Sequence, residues 1–233
     1  MPEPAAADPW SALTPEGVAA ALGAAALGAA ALGAAVTDGA PRWWLSGGAA
    51  LDRFVGAPIR DRENIDVSTI PAHLASVIAG LPAGLSAWVG QDDDEPLIAW
   101  AGADPASDIQ RVLVRDDARG VWVLRINVED GAARAWMYRR DPRLQVPWDA
   151  AVIDRDGIPT GAPEIQLVWK ALRPRPEDDV DKDAVLPRLS PEAVTFFETA
   201  LLRIHPHSTW SIHVRSPVFP ARPSWNRRPG AGA

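Results

Sequence analysis

The fold is decided by the run Trp43-Trp44-Leu45-Ser46-Gly47-Gly48-Ala49-Ala50-Leu51-Asp52. Its apolar beginning predicts a short strand that stops at the glycine pair, and residues 49–55 have the apolar spacing of a helix that ends at Gly56. Residues 64–70, with the sequence NIDVSTI, alternate polar and apolar side chains and stop at Pro71. This alternation predicts a half-buried strand with positions 64, 66 and 68 on one face.

A glycine pair before a helix and a carboxylate on the following strand form a candidate anion site. Glycines let backbone amides approach an anion closely. Asp66 could hold a divalent cation that bridges such an anion. This layout is typical of a nucleoside-triphosphate site, whereas a Gly-Gly turn by itself is more often only a turn.

The rest of the chain predicts a mixed sheet followed by helices. Residues 109–114 and 121–128 predict a hairpin, and residues 135–139 predict another strand. After Pro147 the pattern becomes helical, with helices over residues 163–172 and 191–204. We therefore expect an α+β fold in four segments: an Ala-rich N-terminal helix with a low-complexity expansion (1–39), a sheet domain (40–146), a helical part (147–215) and a disordered tail (216–233).

Composition excludes several classes of site. The 233 residues include no Cys, which removes disulfides, thiolate zinc sites and cysteine nucleophiles. The net charge of -7 argues against a nucleic-acid partner, because an acidic protein has no long-range attraction to phosphate groups. Residues 18–36 are uncharged but consist mainly of Ala and Gly and follow acidic residues, which is unlike a membrane span or a signal peptide. We expect a cytoplasmic protein that does not contact membranes, and the sequence leaves its oligomeric state open.

The glycine region resembles the DNA polymerase beta-like nucleotidyltransferases, and it looks closest to their aminoglycoside adenylyltransferase-like (aminoglycoside 2''-nucleotidyltransferase-like) branch. The resemblance spans about residues 10–214. It is carried by the tryptophan pair, the glycine pair, Asp52, Gly56, Arg60 and Asp66, and then by residues 136–142, 157–159, 163–167, 170–171, 175–178, Asp181, 205–207 and Trp210. It implies a nucleotidyltransferase fold with a mixed central sheet flanked by helices.

The resemblance also implies an activity and a set of site residues. Relatives transfer a nucleoside monophosphate from a magnesium-bound triphosphate, here most simply ATP, to a hydroxyl group of a small molecule such as an aminoglycoside, an antibiotic-resistance-like reaction. The implied roles are catalysis for Asp66 and Asn64, metal binding for Asp66, nucleotide binding for Ser46, Gly47, Gly48, Arg60 and Lys170, and acceptor binding for Arg139, Arg140 and Glu164.

The sequence departs from the family at the metal site. The family places three acids there, but here the first position is Asn64 and the third aligns with Arg125, so only Asp66 is left. Arg62 stands where many relatives have histidine. A guanidinium repels magnesium and neutralises a carboxylate through two hydrogen bonds, so we expect Arg125 to pair with Asp66.

Other acids could replace the missing ligands only under specific conditions. Strand alternation would place Glu63 on the face of the strand that points away from Asp66. Glu129 and Asp130 could reach the site if a bulge moved them. The acids of residues 92–95 could form a rim for a polycationic acceptor or simply a solvated turn.

Two functions are therefore open. One is an active nucleotidyltransferase. The other is a catalytically degenerate relative, a possible pseudoenzyme, that binds a nucleotide, an amino-sugar or a protein partner. A third interpretation, a toxin acting on transfer RNA, is disfavoured by the acidic charge.

Overall fold

The computed structural model describes residues 8–23, 42–90, 96–102 and 109–215. Within these residues no helix is long and apolar enough to cross a membrane. Three expectations concern parts of the chain outside the described residues: the Ala-rich block beyond residue 23, the acidic rim at 92–95 and the tail from residue 216.

An eight-stranded mixed sheet forms the centre of the fold. Its strand order is β10-β11-β1-β2-β6-β5-β3-β4. β1 is antiparallel to β2 and parallel to β11, and β2 is parallel to β6. Its strands are β1 (Trp44–Ser46), β2 (Asp66–Thr69), β3 (Leu85–Val89), β4 (Ile98–Ala99), β5 (Arg111–Asp116), β6 (Val121–Val128), β10 (Val152–Arg155) and β11 (Ile158–Gly161).

A separate three-stranded antiparallel sheet has the order β7-β8-β9. Its strands are β7 (Gly131–Ala132), β8 (Ala135–Tyr138) and β9 (Asp141–Pro147). The strand predicted at 135–139 therefore exists, but it pairs with its own neighbours along the chain and does not extend the central sheet.

The helices begin where the sequence signals predict. Proline occupies the first turn of α1, α3, α5, α6 and α7, where its missing N–H has no intrahelical partner to lose. The helices are α1 (Pro15–Leu22), α2 (Gly47–Val55), α3 (Pro71–Ala79), α4 (Trp148–Ala151), α5 (Pro163–Lys170), α6 (Pro176–Val185), α7 (Pro191–Ile204) and α8 (Thr209–Arg215).

The two faces of the central sheet have different coverings. Leu45, Val67 and Ile126 pack with apolar residues of α1 and α3. Trp44 packs instead with residues of α5, α7 and the second sheet. Both Trp43 and Trp44 are about 1% exposed, as expected for packing residues rather than a surface for a nucleobase.

The switch to helices comes later than residue 147. After the single turn of α4, strands β10 and β11 form a hairpin, and β11 pairs with β1. The continuous helical part begins at Pro163. Asp156 and Gly157 both have positive φ, as a tight hairpin turn requires, and β11 pairs with β1. The fold is α+β with a mixed central sheet flanked by helices, as expected.

Candidate functional site

Three neighbouring strands bring Ser46, Asp66 and Arg125 into one row. Ser46 is the register partner of Asp66 in the β1–β2 pair, and Asp66 is the register partner of Arg125 in the β2–β6 pair. All three line a cleft of about 1110 Å³, whose other walls include α5 and the beginning of α6. The sheet thus fixes their spacing before any ligand is present.

Asp66 accepts hydrogen bonds at both carboxylate oxygens. Arg125 donates from Nε to Oδ1 at 2.5 Å and from Nη2 to Oδ2 at 3.0 Å. The Asn64 amide donates from Nδ2 to Oδ1 at 2.9 Å. The pair expected between Arg125 and Asp66 is therefore present, and the Asp66 side chain is only 13% exposed.

The residues at this position do not suit magnesium. Mg²⁺ prefers oxygen ligands that include carboxylates, but the Asp66 oxygens already face a guanidinium that would repel the ion. Glu63 and Asp61 both line the cleft. The prediction for Glu63 was wrong because β2 begins only at Asp66, so strand alternation does not apply at residue 63. Among the described residues, no group of three or more His, Cys, Asp or Glu side chains could hold a metal ion.

The glycine turn is occupied by the protein's own side chains. Gly47 has φ +59°, a left-handed conformation that favours glycine. A Cβ at Gly47 would lie 2.6 Å from Oδ2 of Asp66. The Gly47 N–H donates to Oε1 of Gln166 at 2.8 Å. The amide that would approach a phosphate thus already has an acceptor.

Gly48 is needed for a different contact. The guanidinium of Arg62 lies directly on the α carbon of Gly48, so a Cβ there would overlap its Nη1, Cζ and Nε atoms. Arg62 is held in this place by two bonds of 2.6 Å to Asp52. The second glycine therefore makes room for an arginine.

A buried ion cluster ties the glycine turn to the helices. We call Arg60, Arg62, Lys170 and Asp181 the Asp181 cluster. Asp181 is fully buried and accepts bonds from Arg60 at 3.2 Å and from Arg62 at 2.9 Å, and the Lys170 ammonium lies 3.1 Å away. Burial would raise the pKa of Asp181, but the bonds from Arg62 and Arg60 and the charge of Lys170 lower it below the ordinary value. Arg60 and Lys170, implied as nucleotide ligands, thus already have an internal partner.

The beginning of α6 adds a second carboxylate to this wall. Asp178 accepts a bond of 2.6 Å from Lys170 and one of 3.2 Å from Arg175, and it caps the Arg175 N–H at 3.0 Å. Burial opposes ionisation, but these bonds lower the pKa of Asp178 to about 2. The acidic stretch at 177–183 is therefore a helix start whose acids bind cations of this protein.

Cations outnumber carboxylates on the surface of the cleft. The lining has six carboxylates: Asp61, Glu63, Asp66, Glu129, Glu177 and Asp178. It has nine cations: Arg60, Arg62, Arg111, Arg125, Arg139, Arg140, Lys170, Arg173 and Arg175. Asp52 and Asp181 neutralise some of these cations from behind the lining. The lining thus carries more cations than carboxylates, which favours an anion in the cleft.

Glu129 lies in the same cleft but away from Asp66. Glu129 lies four positions after Arg125 along extended chain, roughly 13 Å at the usual rise of a strand. Its Oε2 accepts bonds from the indole N–H groups of Trp136 at 2.5 Å and Trp169 at 3.1 Å. Burial raises the pKa of Glu129, although the bonds from the two indoles act against the rise. No bulge moves Glu129 to the expected third metal position.

Of the three residues implied for acceptor binding, two line the cleft and one does not. Arg139 and Arg140 both line the cleft, and Arg139 also forms an ion pair of 3.2 Å with Asp130. Glu164 is not among the lining residues, so the structure does not support this prediction. Gln166, Trp169 and Lys170 share the cleft-facing side of α5, and Glu164 lies two residues before Gln166, on roughly the opposite side of a helix.

Sequence reasoning missed Gln166 and Arg175 as residues of the cleft. Gln166 is only 2% exposed and is surrounded by apolar residues along α5. A polar side chain on a buried helix face normally has a hydrogen-bond partner, and this was the available signal. Arg175 gives no comparable signal, because its place on the cleft depends on how α6 packs.

No protein-family model matches this chain, and no curated protein matches it. Among solved structures, the chain is similar to the solution structure of the antibiotic-resistance factor ANT(2'')-Ia, with 14% identity over 69% of this chain and 82% of that one and a TM-score of 0.38. It is also similar to the crystal structure of ANT(2'')-Ia in complex with adenylyl-2''-tobramycin, with 14% identity over 69% and 87% of the two chains and a TM-score of 0.39. These similarities concern the arrangement of helices and strands.

Proposed function

We propose that this chain is a nucleotidyltransferase-like protein that binds an anionic, nucleotide-type ligand in its cleft and does not carry out magnesium-dependent transfer. The observation that carries the proposal is the two-bond pair between Arg125 and Asp66. Transfer of this type needs carboxylates to hold metal ions that neutralise charge on the phosphorus. Here the remaining carboxylate is already neutralised by an arginine.

The choice of an anionic ligand follows from the lining of the cleft. Arginine and lysine residues outnumber carboxylates along the lining, and two of their carboxylate partners, Asp52 and Asp181, are not part of it. A polycation such as an aminoglycoside would meet these positive groups first, whereas phosphate groups would be attracted by them. An aminoglycoside-like acceptor is therefore the less favoured ligand.

The test is a transfer assay on the complete chain. Pyrophosphate release would be measured with magnesium and ATP, GTP, CTP or UTP against a panel of aminoglycosides and lincosamides. We expect no release by the natural protein. The double variant Asn64→Asp/Arg125→Asp restores acids at the two altered positions, so any release that it gains would indicate descent from an enzyme.

The variant Asp66→Ala supplies the control. If the natural protein releases pyrophosphate and Asp66→Ala abolishes the release, the chain is an active enzyme and the proposal is wrong. If neither protein releases pyrophosphate, direct titration of the natural protein with the four nucleotides tests the binding part. Absence of binding for all four would then refute that part.

A further inference from the structure

We infer that Arg125 and Arg175 bind the phosphate groups of the ligand directly, so that the cleft takes the metal-free form of a polyphosphate in preference to its magnesium complex. This inference rests on the proposed function and adds the residues and the ionic form of the ligand. It gives Arg125 the role that magnesium has in a metal-dependent transferase, which is to present positive charge to the phosphates.

The two arginines lie on different walls of one cleft. Arg125 belongs to β6 in the sheet, and Arg175 is the N-cap residue of α6. Both line the cavity, and 33% of the Arg125 side chain and 62% of the Arg175 side chain are exposed. An anion in the cleft can therefore approach both guanidinium groups.

The two charges are also close enough to interact. The hydrogen bond to Asp178 raises the pKa of Arg175, while the positive charge of Arg125 acts in the opposite direction. Two cations that face one cavity repel each other, and an anion between them would remove the repulsion. An arginine binds a phosphate through parallel N–H bonds, which makes this residue type suitable for the role.

Carboxylates hold both arginines in place before a ligand binds. Asp66 fixes Arg125 through two bonds, and Asp178 with Glu177 fixes Arg175 at 3.2 Å and 3.1 Å. Arginine side chains that are already ordered lose less conformational entropy on binding. The same arrangement does not favour a magnesium complex, because the ion would both repel Arg125 and occupy phosphate oxygens.

The glycine turn is the other place where a phosphate could bind, but its groups already contact side chains of the protein. The Gly47 amide donates to Gln166, and Arg62 covers Gly48. Phosphate binding through the turn would have to break these contacts. Arg125 and Arg175 are paired as well, but each remains partly exposed, and a guanidinium has five N–H groups, of which Arg125 uses two for Asp66. A phosphate can therefore approach both with their carboxylate pairs in place.

The experiment is a calorimetric titration of the complete chain with ATP, first with EDTA and then with excess magnesium. We expect binding in EDTA and an affinity lower by about tenfold or more when magnesium is present. Arg175→Met should weaken binding in EDTA by about tenfold or more, since hydrogen bonds to charged groups are strong. The double variant Asp66→Asn/Arg125→Met, which removes both charges together, should do the same. Circular dichroism would check that each variant is folded.

The matched control is Arg188→Met. Arg188 is exposed, follows α6 and is not part of the cleft lining in the described structure. Its affinity for ATP should equal that of the natural protein. An equal loss in this variant would show a general charge effect and overturn the inference.

The remaining outcomes separate the inference from the proposed function. Binding that requires magnesium would overturn the inference and leave nucleotide binding intact. Binding in EDTA that Arg175→Met and the double variant both leave unchanged would also overturn it. Tight binding of inorganic tripolyphosphate but of no nucleotide would support the arginine site and refute the nucleotide part of the proposed function. Absence of binding for tripolyphosphate and for all nucleotides would refute both.

Discussion

Asp181→Asn should be among the most destabilising single changes in this protein. The carboxylate is fully buried and neutralises three cations, Arg60, Arg62 and Lys170, which come from the loop after α2 and from α5. Asparagine has nearly the same shape but no charge. The variant would therefore leave the three cations around a neutral group, and the ionic contacts between α6 and the rest of the cleft would weaken.

The magnitude follows from the burial of the cluster. Removing one partner of a buried ion pair typically costs about 3–5 kcal/mol. In a chain of this size, a loss of 1 kcal/mol lowers Tm by roughly 2–4 °C, so we expect Tm to fall by roughly 6–20 °C. The three cations are 12–24% exposed. Partial solvation of these cations in the variant would move the loss toward the lower end.

Thermal unfolding followed by circular dichroism is the assay, and Asp183→Asn is its matched control. Asp183 lies on the same helix, but its side chain is 73% exposed, and within the described part of the chain it pairs with Lys182. The control should change stability by about 0.5 kcal/mol or less. Equal, small effects of the two variants would refute the argument that the buried cluster holds α6 in place.

The pH dependence of the same variant gives an independent check. The folded-state pKa of Asp181 is below the ordinary value of 3.8. Its contribution to stability is therefore complete above that ordinary value and is lost as the pH falls through the lowered one. Asp181→Asn should make acid unfolding less steep, and an unchanged acid transition would contradict this assignment.

Two further changes test other contacts of the cleft. Gly48→Ala should lower the free energy of unfolding in urea by about 1–3 kcal/mol, because the new Cβ displaces Arg62. The control Gly17→Ala in α1, whose Cβ would make only ordinary contacts, should be neutral or slightly stabilising. Similar losses of stability in the two variants would contradict the crowding argument. Glu129 has a raised pKa in the folded state, so its contribution to stability is complete below the ordinary glutamate value and is lost as the pH rises through the raised one. The stability of Glu129→Gln relative to the natural protein should therefore increase as the pH rises. A difference in stability that stays constant with pH would show that Glu129 does not titrate abnormally.

Local sequence signals predicted most elements because they act within a few residues. Proline at the first helical positions and the glycine pair after an apolar run marked the starts of helices α2, α5 and α7. Alternation in residues 121–128 placed β6 and assigned its faces. The Arg125–Asp66 pair could also be predicted, because a carboxylate is neutralised effectively by an arginine at the facing position of a neighbouring strand.

Packing between distant parts of the chain decided the rest. The Gly47–Gln166 bond joins residues 119 positions apart, and the Arg60–Asp181 bond joins residues 121 positions apart. Neither pairing has a local pattern, since each depends on where α5 and α6 settle on the sheet. For the same reason the sequence alone did not separate the second sheet or place β11 beside β1.

The sequence by itself therefore determined most of the elements, the glycine turn and the loss of two metal-ligand acids. Only the tertiary structure decided that the Gly47 amide and the space above Gly48 are used by the protein's own side chains, and that cations outnumber carboxylates along the cleft. The physical reason is that backbone preferences are local, whereas burial and charge neutralisation involve side chains brought together only when the chain is folded.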